Sequence, residues 1–422
     1  MFPAKLSPVE STLDALQARL QRIKLPVAIK LWNNRLLVGD APVRVTISLN
    51  TPQTLSLFVR PDISRFAEYY VQKKIDLEGN VRDIVSMLAP LLEISGKAES
   101  KLATVAHLFR HTRSRDKQAI QFHYDVSDDF YALWLDRRRV YSCAYFKTEQ
   151  DSLDLAQEQK LDLICRKLAI KQDERVLDIG CGWGGMIFWA AEKYGANCTG
   201  ITLSENQRDY VQQQIVARGL EGKVEVRLQD YRDVPEENIF DKIISVGMVE
   251  HVGTRNLGEY FNKINRLLKP GGLLMNHGVT SSTMDNDYIR GGGADFIQRY
   301  VFPEGELAHV SKVLDAMGRE KLECLDVENL RPHYAKTLWH WVERLEAQQQ
   351  QAVEIVGEEK YRIWRAYMAG FAYAFEQGWD AIYQVVAAKP LQDGSVPTYP
   401  FTRDYMYQAP LPPFQGGGSL SS

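Results

Sequence analysis

The stretch Val176-Leu177-Asp178-Ile179-Gly180-Cys181-Gly182-Trp183-Gly184 decides the fold of this chain. A mainly apolar run leads into three glycines at alternate positions, and a helix-like segment, 186–193, follows at once. Apolar and β-branched residues on both faces are typical of a strand buried in a parallel sheet. Glycine has no Cβ, so the backbone can turn tightly there and approach a ligand closely. The stretch therefore predicts a nucleotide-like cofactor at the end of a buried strand.

Length and composition predict a globular protein of two domains. The chain has 422 residues, more than one ordinary domain, with 45% hydrophobic and 25% charged residues. Its net charge of −3 argues against a nucleic-acid partner, because a polyanion is bound by a strongly basic surface.

Hydropathy and cysteine usage bear on where the protein works. No run of apolar residues is long enough to predict a membrane-spanning helix, and we expect no signal peptide. The five cysteines are scattered and form no CxxC pair. This pattern predicts a reduced, cytoplasmic protein without structural zinc.

Residues 1–95 are predicted to form a small α+β domain. Leu13, Leu16 and Leu20 recur at helical spacing within 9–25. Turn residues then separate short β-rich runs. Strands are predicted at 28–32, 35–38, 43–49 and 55–59, and further helices at 63–73 and 81–92.

Two segments are predicted to lie outside the domains. Residues 96–117 are rich in Lys and Arg with interleaved apolar residues, which indicates a linker that is partly helical. It is either a solvated connection or a basic amphipathic surface for anionic lipid. Residues 391–422 form a tail, partly disordered because 408–422 are rich in Pro, Gly and Ser.

Residues 118–390 alternate between strand and helix patterns, which predicts a parallel sheet with helical crossovers. A turn at 269–272 is expected to launch the fifth strand. The predicted strands are Arg175–Ile179, Asn197–Thr202, Val224–Leu228, 242–246 and 273–277.

The ends of the second and third strands narrow the choice of cofactor. Ser204 and Gln207 have the spacing of a capping box, so a helix begins just after Thr202. Asp230 is placed to accept a hydrogen bond from an exocyclic amine, and Tyr231 to lie against a purine. These ends favour S-adenosylmethionine over NAD, with another nucleotide or a simple tight turn as the alternatives.

Four further residues have the chemistry of a buried anion or proton-transfer site. Glu250 and His277 follow the fourth and fifth strands, at the edge of an open α/β sheet where ligands bind. Cys143 and Tyr334 lie in other segments. Each residue also has a purely structural interpretation. Glu250 could be a capped carboxylate and His277 a core histidine with its hydrogen bonds made. Cys143 could be a buried thiol and Tyr334 a packed aromatic ring.

Across 122–389 these motifs resemble the cyclopropane-fatty-acyl-phospholipid synthases and the related mycolic acid methyltransferases. The resemblance implies a Rossmann-like class I S-adenosylmethionine-dependent methyltransferase sheet. Residues 1–95 resemble, more loosely, the sterol-carrier-like N-terminal domain of the bacterial synthases. The motifs that carry the resemblance are His123-Tyr124-Asp125-Val126-Ser127-Asp128-Asp129-Phe130-Tyr131, Tyr141-Ser142-Cys143-Ala144-Tyr145-Phe146, the glycine stretch, Gly200-Ile201-Thr202-Leu203-Ser204-Glu205-Asn206-Gln207, Glu250-His251 and His333-Tyr334-Ala335-Lys336-Thr337-Leu338.

The resemblance also implies the reaction. Family members move the methyl group of S-adenosylmethionine onto a cis double bond of an acyl chain in a membrane phospholipid, and a ring closes after proton loss. A bicarbonate ion is the family's base. By motif, its ligands would be Cys143, Glu250, His277 and Tyr334, with backbone near Val279. The implied cofactor residues are Tyr141, Ser142, Gly180, Gly182, Thr202, Gln207 and Tyr231, to which we add Asp230 from its strand-end position.

The family resemblance further implies a homodimer, with the N-terminal domain serving assembly or membrane docking. The expected location is cytoplasmic, on the inner face of the membrane. The aromatic-rich segment 361–378 is either an ordinary core helix or a wall of the acyl tunnel. Arg137, Arg138 and Arg139 are either a solvated run or a phosphate contact.

Elementary chemistry agrees with these roles. An alkene is a weak nucleophile, so the site needs orientation and tolerance of a developing cation rather than an activated side chain. Cys143 is accordingly expected to be a hydrogen-bond donor and not a nucleophile. The alternatives are a methyl- or methylene-branching fatty-acyl methyltransferase, a small-molecule N- or O-methyltransferase, and a non-enzymatic lipid-binding protein.

Overall fold

The computed structural model describes residues 8–59, 62–91, 127–235, 237–284, 293–301, 306–395 and 397–408. The predicted basic linker, 96–117, lies outside these ranges, as do 409–422 of the tail. Within the described ranges, no helix is long and apolar enough to cross a membrane.

The N-terminal part is a four-stranded sheet with helices. Its elements in order are α1 (Pro8–Ile23), β1 (Val27–Lys30), β2 (Leu36–Val38), β3 (Val45–Leu49), α2 (Ser56–Val59), α3 (Ile63–Val71), β4 (Ile75–Glu78) and α4 (Val81–Leu91). The strand order is β2-β1-β3-β4, with only β1 and β3 parallel. The leucines at helical spacing in α1 are buried against this sheet, which explains why the first helix was predictable.

One prediction in this part was wrong, and one strand was missed. Residues 55–59 do not form a strand; a 3-10 turn, Pro52–Leu55, runs directly into α2. Pro52 lies at the start of that turn, where its fixed φ suits a helix and its missing N–H costs nothing. The edge strand β4 was missed because only Ile75 of its four residues is fully buried, so the alternation is too short to recognise.

The larger part is built on a seven-stranded sheet of order β10-β11-β9-β8-β5-β6-β7. Its elements are α5 (Asp128–Trp134), α6 (Leu153–Lys167), β5 (Arg175–Ile179), α7 (Gly185–Tyr194), β6 (Asn197–Thr202), α8 (Glu205–Ala217), β7 (Val224–Leu228), β8 (Phe240–Val246), α9 (Val249–Val252), α10 (Leu257–Leu267), β9 (Leu268–Ser281), α11 (Gly293–Tyr300), α12 (Val310–Arg319), β10 (Glu323–Asn329), α13 (Arg331–Ala347), α14 (Gln349–Gln377), β11 (Asp380–Ala388) and α15 (Asp404–Tyr407).

Strands β5 to β9 are parallel, as the alternating pattern predicted. Strand β5 lies between β6 and β8, so the chain reverses its direction of progress across the sheet at this strand. In such a sheet the ligand crevice forms at the carboxyl ends beside the reversal point. The glycine stretch leaves β5 at that position.

The far edge of the sheet differs from the prediction. Strand β9 extends over Leu268–Ser281 and contains the residues expected to form the turn 269–272. The backbone is irregular at the expected position, because Gly271 has a φ of 78° and the pairing with β8 shifts register between Leu268 and Leu273. Lys389 exchanges backbone hydrogen bonds with Gly271 (3.0 Å) and Gly272 (2.9 Å), so the segment stays joined to the sheet. Strand β11 runs antiparallel between β9 and β10 and was not predicted, since its continuous apolar run does not distinguish a strand from a buried helix.

The two parts touch through α3, β4 and α14. Arg362 donates to Asp76 (2.7 Å) and to the Tyr70 carbonyl (2.9 Å), and Arg365 donates to the Tyr70 hydroxyl (3.0 Å). Helix α14 is kinked at Gly357, whose φ is 79°. Its other side carries Trp364 into the main aromatic core, so one helix contacts both the N-terminal part and the centre of the larger part.

Candidate active site

The glycine stretch forms a tight loop at the carboxyl end of β5. Gly180 (φ 81°), Gly182 (φ 54°) and Gly184 (φ 83°) all have positive φ, a region that side chains rarely adopt. A Cβ on Gly180 would lie 2.6 Å from the Met248 sulfur, whereas one on Gly182 would meet nothing within 4 Å. Gly180 therefore permits a close approach inside the protein, and Gly182 leaves open space above the loop.

The end of β6 forms only half of the predicted capping box. The Gln207 backbone N–H donates to the Ser204 hydroxyl (3.3 Å), which begins α8. The Gln207 side chain does not return to the Ser204 N–H; instead its Oε1 accepts from the Thr202 hydroxyl at 2.8 Å. This bond fixes two of the predicted cofactor residues against each other.

The end of β7 presents an ion pair next to a ring. Asp230 accepts from the Arg232 side chain at both carboxylate oxygens (2.9 and 2.6 Å). The Arg232 guanidinium also lies over the Tyr231 ring, 5.4 Å from its centroid. Asp230 is thus already engaged by a cation, a partner that the sequence reasoning did not anticipate.

One cavity gathers six of the eight predicted cofactor residues. Gly180, Gly182, Thr202, Gln207, Asp230 and Tyr231 all line it. Sequence reasoning missed several other lining residues, although two carried a recognisable signal: His251 follows Glu250, and Gly247 ends the fourth parallel strand. The missed polar and flexible lining residues are Gln229, Arg232, Gly247, Met248, His251 and Asn256.

Tyr141 and Ser142 are not part of the lining of that cavity. Tyr141 packs in an aromatic cluster, which we define as Tyr131, Trp134, Tyr141, Trp341 and Trp364. The ring centroids of the other four residues lie 5.2 to 6.1 Å from the ring centroid of Tyr141. Burial, and to a lesser extent the neighbouring tyrosine hydroxyls, raise the pKa of Tyr141 well above its usual value, so its hydroxyl stays protonated.

The aromatic cluster touches the glycine loop directly. Trp183 of the loop lies 4.8 Å from Tyr131, centroid to centroid, and its indole N–H donates to Asp128 at 3.0 Å. Tyr141 also shares a hydroxyl–hydroxyl hydrogen bond of 3.3 Å with Tyr367 of α14. An apolar, ring-lined region therefore adjoins the loop on which the cofactor is predicted to bind.

Cys143 is fully buried in the same apolar core as the aromatic cluster. Its sulfur lies 3.3 Å from the Ala144 carbonyl oxygen and 3.9 Å from that of Leu330. Burial raises the pKa of the Cys143 thiol far above its usual range, so the reactive thiolate is strongly disfavoured. The geometry suits a weak donor and not a nucleophile.

Glu250 lies in the first turn of α9, and its side chain reaches β9. Its Oε1 accepts from the Val279 backbone N–H at 2.7 Å, so this backbone donor is already used. Its Oε2 is buried and has no hydrogen-bond partner in the described ranges. Burial raises the pKa of Glu250 to about 7, so the carboxyl can exchange a proton near neutrality.

His277 is buried in β9 opposite Gln384 of β11. The Gln384 amide nitrogen lies 3.3 Å from Nδ1 of the ring, while Nε2 has no partner among the residues with described positions. Burial lowers the pKa of His277 well below its usual value, so the ring is neutral.

Tyr334 lies in the first turn of α13, against Phe375 (4.8 Å between centroids). A chain of contacts connects it to the other predicted residues. Its N–H donates to the Leu330 carbonyl that the Cys143 sulfur approaches, and the Leu330 N–H donates to Ile382 (2.8 Å). Ile382 is the β11 partner of Val279, which holds Glu250.

The arginine run 137–139 is engaged within the protein. Arg138 pairs with Glu158 at 3.1 Å, Arg137 lies 3.5 Å from Asp154, and Arg139 stacks on Tyr210. Only Arg137, whose side chain is 80% exposed, matches the solvated-run interpretation, because Arg138 and Arg139 are each 21% exposed and packed within the protein. Among the described residues, no cluster of His, Cys, Asp and Glu could hold a metal ion.

Comparisons with known proteins identify relatives of this chain. The family described as mycolic acid cyclopropane synthetase matches residues 111–385, and a domain family of unknown function matches 16–91. A probable fatty acid methyltransferase of Pseudomonas putida is 43% identical over 94% of this chain and all of its own length. The cyclopropane-fatty-acyl-phospholipid synthase of Escherichia coli K12 is 36% identical over 64% of this chain and 68% of its own.

Solved structures also resemble this chain. The cyclopropane synthase MmaA2 of Mycobacterium tuberculosis superposes with a TM-score of 0.62 at 33% identity, covering 65% of this chain and 98% of its own. The mycolic acid cyclopropane synthase CmaA1, solved with S-adenosylhomocysteine, gives the same values. The chain belongs to the mycolic acid cyclopropane synthetase family and is an S-adenosylmethionine-dependent methyltransferase with the Rossmann-like fold of that family.

Proposed function

We propose that this protein transfers the methyl group of S-adenosylmethionine to a cis double bond of an unsaturated acyl chain in a membrane phospholipid and closes a cyclopropane ring. The observation that carries the proposal is the contact between Trp183 of the glycine loop and Tyr131 of the aromatic cluster. It puts a ring-lined, apolar region beside the loop that would carry the methyl donor.

The bond changes follow from the substrate chemistry. The π electrons of the alkene form a bond to the methyl carbon, and the carbon–sulfur bond breaks with its electron pair going to sulfur, which leaves S-adenosylhomocysteine. A cation remains on the neighbouring carbon. Loss of a proton from the new methyl group supplies the electron pair that closes the ring. Aromatic faces stabilise the cation in a site from which water is excluded.

We define the second site as Cys143, Glu250, His277 and Tyr334. Its chemistry fits a small oxyanion such as bicarbonate, which when bound would supply the base for the leaving proton. His277 is neutral and has a free Nε2, and Glu250 Oε2 is buried without a partner in the part of the chain that is described. We propose that Cys143, Glu250, His277 and Tyr334 hold this ion. The Val279 N–H is occupied by Glu250, so a backbone contact there would need a different Glu250 position.

The proposed cofactor contacts are Tyr141, Ser142 and the six residues that line the cavity. Asp230 would reach the exocyclic amine only by sharing its carboxylate with Arg232, because both oxygens are engaged.

Incubation with isotopically labelled S-adenosylmethionine and vesicles of unsaturated phospholipid tests the activity. Cyclopropane fatty acids, identified by NMR of the released lipids, are expected from unsaturated vesicles and not from saturated ones. The Glu250→Gln and Tyr334→Phe variants should lose turnover more than cofactor affinity. Folded protein that binds cofactor but labels no lipid would refute the proposal.

A second product has support of its own. The Pseudomonas putida relative, similar over 94% of this chain, is named a probable fatty acid methyltransferase. Loss of the proton from the carbon that bears the new methyl group would give a methyl-branched alkene, whereas a 1,2-hydride shift followed by loss of a proton from that methyl group would give a methylene branch. NMR separates a ring from a methylene branch of equal mass, so the same experiment decides between the two products.

We further propose that the protein is a homodimer at the cytoplasmic face of the membrane, with the N-terminal part, 1–95, assisting assembly or docking. The linker 96–117 supports this with its basic, amphipathic composition. Sedimentation analysis tests the dimer, and flotation with anionic and neutral vesicles tests the docking. A monomer would contradict the proposed dimer, and equal binding to both vesicle types would contradict the proposed docking.

A further inference from the structure

Lys160 is a buried cation beside the candidate active site that the sequence reasoning did not use. It lies on α6 with only 2% of its surface exposed. Its Nζ donates a hydrogen bond of 2.9 Å to the hydroxyl oxygen of Ser142. Burying an ammonium group is costly unless it is paired, so such a lysine needs an explanation.

Two buried aspartates contribute negative charge near Lys160. Asp136 and Asp178, each 3% exposed, are the two acidic residues whose charges raise the pKa of Lys160. Asp136 already accepts from the Val140 and Arg138 backbone N–H groups (both 2.8 Å). Asp178 lies in β5, two residues before Gly180. The charge of Lys160 is therefore felt at the strand that leads into the glycine loop, and burial lowers its pKa only to about 8, which leaves it charged at neutral pH.

The hydrogen bond to Ser142 determines what the serine can do. Because the hydroxyl oxygen accepts from an ammonium, the hydroxyl hydrogen must point elsewhere, and the nearby positive charge strengthens it as a donor. Within the described ranges, no acceptor for that hydrogen is found. A polarised hydroxyl of this kind suits a negatively charged oxygen atom.

We propose that Lys160 is a positioning residue that acts through Ser142 on the carboxylate of the amino-acid end of S-adenosylmethionine. The carboxylate is the only anionic group of that cofactor, and the glycine loop above Asp178 is where the cofactor would lie. The inference rests on the proposed contact between Ser142 and the cofactor, and it is independent of the lipid acceptor.

Calorimetry with two ligands tests the inference without any lipid. S-Adenosylhomocysteine carries the carboxylate, whereas 5′-methylthioadenosine has the same adenosine and sulfur but no amino-acid end. The Lys160→Met and Ser142→Ala variants should each weaken S-adenosylhomocysteine binding about tenfold or more, the range of one charge-assisted hydrogen bond. Both should bind 5′-methylthioadenosine within about twofold of the wild type.

The double variant tests whether the two residues act together. If Lys160 acts through Ser142, the loss of affinity in Lys160→Met with Ser142→Ala should be close to that of either variant alone. Simple addition of the two losses would overturn the inference. So would an equal loss for both ligands, because Lys160 would then shape the loop and not the carboxylate contact.

A second variant at Lys160 keeps the binding test decisive, and the test does not depend on the lipid assay. Should Lys160→Met fold poorly, Lys160→Gln removes the charge while keeping a polar side chain, and the same selective loss is expected. A failure of the lipid assay in wild-type protein would leave these binding results unchanged. Unselective or absent effects in the folded Lys160→Gln and Ser142→Ala variants would refute the role of Lys160 whatever the lipid assay shows.

Discussion

Gln384 holds the ring of His277 from the neighbouring antiparallel strand. The two residues are direct partners in the β9–β11 register, and the Gln384 amide nitrogen lies 3.3 Å from Nδ1 of the ring. With the amide as donor, Nδ1 is the acceptor, and the neutral ring carries its proton on Nε2. That proton is the one available to an anion in the site.

The first prediction concerns this pair. Gln384→Met keeps the size of the side chain but removes the donor, so the ring loses its fixed tautomer. We expect kcat to fall roughly tenfold, the equivalent of one ordinary hydrogen bond, with cofactor affinity unchanged. Tyr383→Phe, next along the strand, is the control. A loss of cofactor affinity equal to the loss of kcat would contradict a role confined to His277.

The second prediction concerns Glu250 and pH. Its folded-state pKa of about 7 lies above the ordinary value of 4.5, so the native state holds the proton more tightly than the unfolded state. The resulting contribution to stability is fully present below about pH 4.5 and is lost as the pH rises through about 7. The loss is on the order of 3 kcal/mol for a shift of this size.

The stability of the Glu250→Gln variant should therefore depend less on pH, because the amide cannot ionise. We expect its free energy of unfolding to fall less between about pH 5 and pH 8 than that of the wild type, although activity is lost. Denaturant titrations at both pH values measure the difference. Other buried carboxyls are common to both proteins and cancel in the comparison. Parallel pH dependence would show that Glu250 is not buried with a raised pKa.

The third prediction concerns the glycine loop. Gly180→Ala would place a Cβ 2.6 Å from the Met248 sulfur in a left-handed backbone. We expect cofactor affinity to fall about tenfold or more, because backbone strain and displacement of Met248 both distort the cavity. Gly219→Ala is the matched control, since φ is +63° and a Cβ there meets nothing within 4 Å.

The control should lose about 1 kcal/mol of stability from strain alone while binding S-adenosylhomocysteine normally. Calorimetry and denaturant unfolding measure the two effects. Normal binding by Gly180→Ala would mean that Met248 moves away without altering the cavity.

The fourth prediction concerns the contact between the two parts of the chain. Arg362 bonds Asp76, Glu358 and two backbone carbonyls, those of Tyr70 and Ile75. Arg362→Met should lower the free energy of unfolding by about 2 kcal/mol, since charged hydrogen bonds are lost from a half-buried position. Scanning calorimetry should show a lower Tm or two separated transitions.

Arg319→Met is the control for loss of an arginine. Arg319 pairs with Asp315 of the same helix at 2.7 Å and its side chain is 74% exposed, so we expect a change within about 0.5 kcal/mol. Similar effects of the two variants would show that the Arg362 contacts do not join the parts.

Much of the cofactor site was predictable because it depends on local sequence. A buried strand followed by glycines indicates a tight loop, and Ser204 with Gln207 indicates a helix start. The parallel order then brings Thr202 and Tyr231 to the same edge. The role of Asp230 was harder to predict, because the spacing of residues in the sequence does not show that its carboxylate pairs with Arg232.

The second site depended on contacts between distant segments. Nothing in the sequence places Gln384 beside His277, since β11 is inserted antiparallel after the long helix α14. The Cys143–Leu330 contact joins segments 187 positions apart, and Lys160 reaches Ser142 from another element. The family resemblance suggested which residues converge, but not the hydrogen bonds that hold them.

The sequence by itself determined the parallel sheet, the glycine loop and the class of cofactor, because each follows from short-range periodicity and backbone freedom. Tertiary structure alone decided which polar atoms are paired. Glu250 Oε2 and His277 Nε2 are without partners in the described residues, whereas the Val279 N–H and the Ser142 oxygen are occupied. Burial and pairing are properties of the packed molecule, and they set the charge and proton position of every group in the site.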